Sequence, residues 1–269
     1  MAQPHIVVVN YHKGNLSSVA RGLTRAGAEA EISDDPAVIR EADGVVLPGV
    51  GSFFDAVTFM RETGEDAAVL DAIATGAPFI GICLGMQLMF ERGDEGVPAT
   101  VPTAEPGTFG PRGAGLAPGT VFEEDGVRWV RGLGAFTGSC SRLDGRRLKV
   151  PHVGWDQVHL TAPGRESLLT YGFPEGANMY FTHSYAVADD ADPAQVLART
   201  HYTRSFPCMM QAGSVFGCQF HPEKSSARGL DILRNFVGIV EGAQAGRRAA
   251  GTGAVAAAPT AASPSGGAA

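Results

Sequence analysis

The sequence predicts an α/β protein with a mixed, mostly parallel central sheet that is flanked by helices and includes an antiparallel portion. Two patterns predict this class: the first half alternates short apolar runs with helical spacing, and the second half carries strand-like segments separated by turns. The 269 residues, of which 44% are apolar and 18% charged, supply enough apolar material for one large core.

The first half predicts strands and helices in strict alternation. Asp35 before Pro36 is typical of a helix start, and Gly27 is typical of a helix end. Because parallel neighbours need a crossover connection, the alternation predicts a parallel sheet covered on both faces. The predicted elements are strands over 6–9, 28–32, 44–47 and 78–82, and helices over 16–27, from 36, between 52 and 76, and over 84–92.

The second half predicts an antiparallel flank and a closing helix. Apolar residues at helical spacing between Leu230 and Val240 indicate an amphipathic helix that packs on the sheet. The strand-like segments cover 155–160, 177–187, 196–202 and 208–220.

Two segments differ from the rest in composition. Residues 97–130 are rich in Pro and Gly and lack periodicity, which predicts an inserted loop or small excursion. Residues 243–269 are mostly Ala, Gly, Pro, Ser and Thr, too poor in apolar side chains to offset the entropy lost on ordering. We therefore expect a single domain over 1–242 and a disordered tail over 243–269.

Composition and charge exclude several classes of protein. The net charge is −7 without a cluster of Lys or Arg, which argues against binding to a phosphate backbone. No apolar run approaches the roughly 20 residues of a membrane helix, and no basic segment precedes a long apolar one at the start. The four cysteines form no C-x-x-C pair, so no metal site and no disulfide framework is predicted. We expect a cytoplasmic protein with no nucleic-acid or membrane partner.

The segment from Gly81 to Gly85 predicts a nucleophile. It reads Gly-Ile-Cys-Leu-Gly, follows an apolar strand and opens a helix, so Cys83 would stand on a tight turn at the end of the sheet. The N-terminus of that helix would stabilise a thiolate. Taken alone, a buried cysteine in a glycine-flanked turn explains the segment equally well.

His221 and Glu223 predict the base that such a nucleophile needs. In an extended backbone these two positions face the same side, so the carboxylate would reach one imidazole nitrogen and leave the other for Cys83. Pro222 favours an extended conformation at the residue before it. An ordinary strand end is the alternative for this motif alone.

A third motif, Pro48-Gly-Val-Gly-Ser52, ends a predicted strand and offers backbone N–H groups that no side chain obstructs. Such donors stabilise the oxyanion of acyl-transfer chemistry. A plain glycine-rich turn is the alternative, and a phosphate-binding loop is disfavoured because the Lys-Ser/Thr pair is missing.

Together these motifs resemble the class I, or triad, glutamine amidotransferases, which implies a flavodoxin-like fold. Three further segments are similar to the glutaminase subunits of imidazole glycerol phosphate synthase, which serve histidine biosynthesis: Val150-Pro-His-Val-Gly-Trp155, Tyr180-Phe-Thr-His-Ser-Tyr185 and Phe220-His-Pro-Glu-Lys-Ser225. The alternatives are the glutaminase subunits of anthranilate, aminodeoxychorismate or GMP synthesis, and a non-catalytic regulatory relative.

The resemblance covers about 5–96 and 131–241. It departs at Asn10-Tyr-His12, where the family usually has Asp-Tyr-Gly.

The resemblance implies a role for each matching residue. Cys83 would attack the side-chain amide of glutamine, His221 would pass a proton to the leaving ammonia, and Glu223 would orient His221. No cofactor is implied. The implied oxyanion donors are the backbones of Val50, Gly51 and Leu84; the substrate contacts are Gly49, Gln87, Glu95, Ser184 and Tyr185; and the partner contacts are Lys224, Tyr180 and Trp155.

The resemblance also implies a partner, a (β/α)₈-barrel cyclase subunit that forms a heterodimer with this chain and makes imidazole glycerol phosphate and AICAR. Ammonia in neutral water is mostly ammonium, which is not a nucleophile, so a dry passage between subunits would keep it reactive. Gly49 and Gly51 flank Val50, so that peptide can turn over. From this we expect the isolated chain to be nearly inactive until its partner binds.

Overall fold

The computed structural model describes residues 3–12, 15–146 and 148–255 of the chain. Its strands are β1 (His5–Val9), β2 (Glu29–Ser33), β3 (Gly44–Gly49), β4 (Phe79–Cys83), β5 (Phe90–Gly93), β6 (Val121–Glu124), β7 (Val127–Arg131), β8 (Phe136–Arg142), β9 (His152–Leu160), β10 (Ala177–His183), β11 (Tyr185–Val187), β12 (Val196–His201), β13 (Ser205–Ala212) and β14 (Val215–Cys218). Its helices are α1 (Leu16–Ala26), α2 (Pro36–Glu41), α3 (Phe53–Thr63), α4 (Glu65–Ala74), α5 (Leu84–Leu88), α6 (Ala162–Glu166) and α7 (Ser226–Val255).

The central sheet has nine strands in the order β10-β9-β12-β13-β14-β4-β3-β1-β2. The strands from β14 to β2 are parallel, and those from β14 to β10 pair antiparallel. The predicted α/β class, with a mostly parallel sheet and an antiparallel portion, is therefore confirmed. Helix α5 begins directly where β4 ends. Ligands of open α/β sheets bind at the carboxyl ends of the strands, so the turn between β4 and α5 is a suitable position for a functional residue.

The parallel strands are apolar because both of their faces are covered. Val7 and Leu47 belong to the cluster that packs against α3 and α4, whereas Ile6 and Val46 belong to the cluster on the opposite face with α1 and α7. All four side chains are fully buried, and burying such a side chain typically stabilises a fold by about 1.5–3 kcal/mol. This rigid layer fixes the strand ends that carry the site.

A second sheet of five strands has the order β11-β8-β5-β7-β6 and lies beside the first. The hairpin of β6 and β7 comes from the segment expected to be a loop or small excursion over 97–130. Arg92 ties this hairpin to β5, because its guanidinium pairs with Glu124 and stacks 4.2 Å from the ring centroid of Trp129. Part of the Pro/Gly-rich segment is thus regular structure.

Several predicted boundaries are wrong for identifiable reasons. The helix expected over 84–92 ends at Leu88, because residues 90–93 pair with β7 and β8. The segments over 177–187 and 208–220 are each two strands, interrupted at Ser184 and at Gly213, whose φ is 59°.

Helix α7 continues past the expected tail boundary at 243 and ends at Val255. Alanine, which is frequent in this segment, favours a continued helix. Two side chains of α7 also bind the rest of the domain: Gln244 donates to Asp43 at 2.8 Å, and Arg247 donates to the Gly76 carbonyl at 3.0 Å. Residues 256–269, the rest of the expected tail, lie outside the described residues. Within the described part of the chain, no helix has the length and hydropathy that crossing a bilayer requires.

Candidate active site

Cys83 stands on a strained turn between β4 and α5. Its φ of 57° and ψ of −111° place it in a region that L-residues rarely adopt. The flanking glycines make the turn possible, since a Cβ on Gly85 would collide with the Leu47 carbonyl, and one on Gly81 would lie 2.5 Å from the Gly85 carbonyl oxygen. The tight turn predicted from the glycine spacing is present, and it holds the cysteine at the end of the parallel sheet.

His221 and Glu223 follow β14 and form a buried pair. His221 is extended, as expected before Pro222, but Glu223 lies in a 3₁₀ turn rather than in extended backbone. The turn brings the Glu223 Oε1 atom 2.9 Å from Nδ1 of His221, and the two side chains are 2% and 5% exposed. Since the carboxylate accepts from Nδ1–H, the Nε2 atom is left for Cys83.

The charge balance at His221 favours the imidazolium. Burial opposes the charged ring, but hydrogen bonding and charge interactions with Cys83 and Glu223 outweigh burial and raise the pKa of His221 to about 9. A positive ring next to the sulfur favours the thiolate, which is the nucleophilic form. The three side chains therefore have the arrangement of a nucleophile, a base and an orienting acceptor.

A cavity of about 200 Å³ opens in front of Cys83. Its size suits one small molecule, and its walls come from the end of β3, the start of α5, the segment after β5 and the junction of β10 and β11. Eight of the residues predicted for the site line it, together with Thr182 and His183: Val50, Gly51, Cys83, Leu84, Gln87, Glu95, Ser184 and Tyr185.

The predicted oxyanion segment follows β3, where Gly49 pairs in register with Cys83. Gly51 has a φ of 114°, and a Cβ on Gly49 would collide with the hydroxyl of Tyr11. Both glycines are thus required by geometry, one for its backbone conformation and one for a close approach. Val50 is 44% exposed, so its peptide lies at the mouth of the cavity.

Glu95 and Gln87 both line the cavity and have different hydrogen-bond partners. Burial raises the pKa of Glu95 to about 7, although its Oε2 atom accepts a hydrogen bond from the Phe53 N–H at 3.3 Å. Gln87 is 3% exposed, and its Nε2 atom donates to the Tyr185 carbonyl at 2.8 Å and to Gln219 at 2.9 Å. Its amide nitrogen is thus already engaged by protein groups, and its predicted contact with substrate stays a prediction.

The three residues predicted to face a partner lie together beside His221. Trp155 on β9 is 52% exposed, and its ring meets that of Tyr180 edge-on with centroids 5.9 Å apart. Lys224 is exposed on the 3₁₀ turn after His221. Val153, which sequence reasoning missed, is 56% exposed on the same face of β9. Val153, Trp155 and Tyr180 form an apolar surface, and the ammonium of Lys224 lies at its border.

Sequence reasoning also missed four buried polar side chains near the cavity: Tyr11, His152, His183 and Gln219. His183 donates from Nδ1 to the Tyr185 carbonyl at 2.8 Å, and its Nε2 atom lies 3.1 Å from Nδ1 of His152. The sequence held one usable signal, because His152 and His183 fall inside the family-like segments 150–155 and 180–185. Among the described residues, no group of three or more His, Cys, Asp or Glu side chains could hold a metal ion.

Comparison with known proteins identifies the family to which the chain is similar. The family model described as glutamine amidotransferase class-I matches residues 7–239. The imidazole glycerol phosphate synthase subunit HisH of Halalkalibacterium halodurans is 38% identical over 234 residues, which cover 87% of this chain and 95% of that protein. The subunit HisH of Halobacterium salinarum is 44% identical over 235 residues, which cover 86% of this chain and 92% of that protein.

Solved structures share the fold. A crystal structure described as a glutamine amidotransferase superposes with a TM-score of 0.58 and 17% identity, covering 87% of this chain and 98% of that chain. The structure of PurLQS from Thermotoga maritima superposes with a TM-score of 0.58 and 16% identity, covering 89% of this chain and 100% of that chain. At these identities the likeness concerns the fold alone.

Proposed function

The chain belongs to the class I glutamine amidotransferases and, within them, to the HisH subunits of imidazole glycerol phosphate synthase, and from this membership we propose that it hydrolyses glutamine to glutamate and ammonia for histidine biosynthesis. One observation carries the proposal: Cys83 stands on a strained turn at the cavity, opposite a histidine whose other nitrogen is held by Glu223.

The first half-reaction forms a thioester. The sulfur of Cys83 bonds to the amide carbon of glutamine, and the tetrahedral oxygen that develops accepts from backbone N–H groups near Val50 and Leu84. The imidazolium of His221 gives its Nε2 proton to the leaving nitrogen, and the carbon–nitrogen bond breaks to release ammonia. The charge that Glu223 holds beside Nδ1 keeps the ring in the orientation for this transfer.

The second half-reaction restores the enzyme. The ring of His221, now neutral, takes a proton from water, and the resulting hydroxide attacks the thioester carbon. The carbon–sulfur bond breaks, glutamate leaves, and the sulfur of Cys83 again faces a protonated imidazole. One water is consumed for each glutamine.

The carboxylate of Glu95 is the acidic group at the cavity wall suited to the substrate's α-ammonium. Gly49, Ser184 and Tyr185 complete the amino-acid end of the substrate site, as the family resemblance implies.

The ammonia passes to a separate cyclase subunit with a (β/α)₈ barrel, which makes imidazole glycerol phosphate and AICAR. The surface formed by the exposed Val153 and Trp155 with the half-buried Tyr180 supports this, because it lies beside His221, where ammonia is released. Exposed apolar groups of this kind mark interaction surfaces. A cytoplasmic location stays a prediction.

The proposal is tested by Cys83→Ala in the complex with a barrel cyclase. Glutamine-dependent synthesis falls below detection, because no other group can form the thioester, while synthesis from added ammonium salts continues. Cys208→Ala, which removes a fully buried thiol of β13, is the matched control and keeps glutamine-dependent synthesis. Near-normal glutamate release by the Cys83→Ala complex would contradict the proposal.

A further inference from the structure

Gln219 is a fully buried neighbour of Cys83 that the mechanism above does not use. Cys218 pairs in register with Ile82, so the next residue along each strand brings Gln219 alongside Cys83. Its backbone N–H donates to the Cys208 carbonyl at 2.9 Å, which fixes the backbone at this position. The side chain is completely shielded from solvent, so its amide must find partners inside the protein.

The orientation of the Gln219 amide follows from its neighbours. The Tyr185 carbonyl can only accept, so the atom of Gln87 that lies 2.8 Å from it is the amide nitrogen. This nitrogen lies 2.9 Å from the side-chain amide of Gln219, and the atom it meets there must accept, so it is Oε1. The other amide atom of Gln219, Nε2, therefore faces the Cys83 sulfur at 3.6 Å.

Besides Gln219 and His221, the sulfur of Cys83 has one polar neighbour among the hydrogen bonds of the described residues. Its thiol donates to the Thr182 carbonyl at 3.9 Å. When the thiol proton moves to His221, this carbonyl dipole points its negative end at a negative sulfur. A hydrogen-bond donor to the sulfur offsets this unfavourable dipole and stabilises the thiolate.

We propose that Gln219 is a further catalytic residue, whose Nε2–H donates a hydrogen bond to the thiolate of Cys83 and holds it charged and in place for attack. The proposal deepens the proposed function, since it concerns the same nucleophile. In the reaction the thiol proton goes to Nε2 of His221, and the sulfur adds to the amide carbon to give the tetrahedral oxyanion. The imidazolium then protonates the nitrogen, the carbon–nitrogen bond breaks as the carbonyl re-forms, and Gln219 keeps both amide protons. The donor stabilises the charged thiolate more than the neutral thioester sulfur.

The other titratable groups around the sulfur can be held constant in a test. His221 faces the sulfur from the segment after β14, and Tyr11 faces it from the end of β1. The cavity adds His183, Tyr185 and Glu95. Because a substitution at Gln219 alters none of these groups, a change in thiolate formation reports on the amide.

The experiment measures alkylation of Cys83 by iodoacetamide as a function of pH in the chain without glutamine, by mass spectrometry of the Cys83 peptide. The other three thiols do not interfere, because Cys140, Cys208 and Cys218 are buried and burial raises the pKa of each. Two variants are used: Gln219→Met removes the donor at similar volume, and Gln219→Glu replaces it with a carboxylate. Gln211→Glu, the same chemical change on β13 at a side chain bonded to Ser167, is the matched control.

The pH midpoint of alkylation rises by about one unit in Gln219→Met, the size expected for one charge-assisted hydrogen bond, and by more in Gln219→Glu. The rate of alkylation at pH 7 falls up to about tenfold, kcat in the cyclase complex falls with it, and KM changes little. The midpoint of Gln211→Glu equals that of the wild type. Thermal unfolding shows which variants are folded. Either Gln219 variant, if folded, is sufficient to test the proposal.

An unchanged midpoint in a folded Gln219 variant overturns the proposal. The outcome is separate from the proposed function, because alkylation needs no glutamine. A wild-type complex that releases no glutamate, with a midpoint that still moves in Gln219→Met, would refute the glutaminase and leave the hydrogen bond in place.

Discussion

The two walls of the catalytic cavity use different kinds of chemical group. The wall at the parallel side of the sheet, from β3, β4 and α5, presents mainly backbone: the turn from Gly49 to Gly51 and the strained turn at Cys83. On the opposite side, β10 and the segment after β14 supply ionisable side chains: His183 lines the cavity, and the buried pair of His221 and Glu223 lies beside Cys83. Backbone donors work at every pH, whereas proton transfer needs groups that change charge.

The difference extends to how each wall is stabilised. Behind the backbone wall lie fully buried apolar strands, and backbone atoms approach one another where glycine removes the Cβ. Behind the side-chain wall, polar groups hold each other: the half-exposed Asp156 lies 2.6 Å from the buried His152, whose ring contacts His183. We therefore expect the first wall to be sensitive to side-chain volume and the second to protonation and lost hydrogen bonds.

The largest effects are expected where a group of the side-chain wall is removed. His221→Ala loses about 10³–10⁴-fold in glutamine-dependent kcat, since no other group transfers the proton. Glu223→Gln loses less, about 10²-fold, because the ring and its Nε2 atom remain but their orientation and charge are no longer held. Both losses are to be measured as the rate of glutamate release by the cyclase complex. Equal losses in the two variants would show that orientation matters as much as the base.

The next effect tests the backbone wall by volume alone. Gly85→Ala places a Cβ against the Leu47 carbonyl, and backbone atoms of a central strand cannot move aside as a side chain can. We expect a loss of about 3 kcal/mol in the free energy of unfolding and about 10²-fold in kcat, since the turn at Cys83 shifts. Urea unfolding and glutamate release measure both. Gly242→Ala, on α7 with open space around its Cα, should not destabilise the chain.

A pH-dependent effect of up to about tenfold in KM is expected from Glu95. Burial raises the pKa of this carboxyl to about 7, so it is neutral below that pH and ionised above it. Only the ionised form attracts the α-ammonium of glutamine, so KM falls as pH rises from 6 to 8. Glu95→Gln raises KM and flattens this dependence, whereas kcat keeps its own profile through His221. A wild-type KM that is constant across this range would remove Glu95 from the substrate site.

The backbone wall is also the one that local sequence patterns predict. Apolar runs separated by helical spacing placed β1 to β4 within one or two residues, and the spacing of Gly81, Cys83 and Gly85 indicated the turn. These features arise from short stretches of chain. The residues around Cys83 on that wall could therefore be named before the structure was known.

The side-chain wall depends on pairings that local patterns do not encode. The hydrogen bonds that join Gln87 to Tyr185 and to Gln219 connect positions 98 and 132 residues apart. The strand β5 follows α5 without a change in apolar spacing, and its pairing with β7 and β8 decides against a longer helix. Long-range contacts also explain why His152 and His183 were missed as a pair.

The smallest effect is expected where the two kinds of group meet, at Tyr11. Its hydroxyl is buried against the Gly49–Val50 peptide and has no partner at full hydrogen-bond geometry. Burial raises the pKa of Tyr11, and the Val50 N–H is the backbone group that partly offsets this. The hydroxyl therefore attracts an N–H that the proposed mechanism needs in the cavity, and it favours the peptide orientation that points away from substrate.

Tyr11→Phe removes that attraction and leaves the ring in place. Because a weak hydrogen bond contributes about 0.5–1 kcal/mol, glutamate release by the isolated chain should rise about two- to fivefold. In the complex with cyclase and its ligand the rate should stay unchanged, since the partner already supplies the inward orientation. Tyr171→Phe, at a side chain exposed on the surface, is the control for the isolated chain. A rise of equal size in the isolated chain and in the liganded complex would mean that Tyr11 acts on the chemical step and not on the orientation of the Gly49–Val50 peptide. At this residue, a side chain and not the backbone would then determine the activity of the backbone wall.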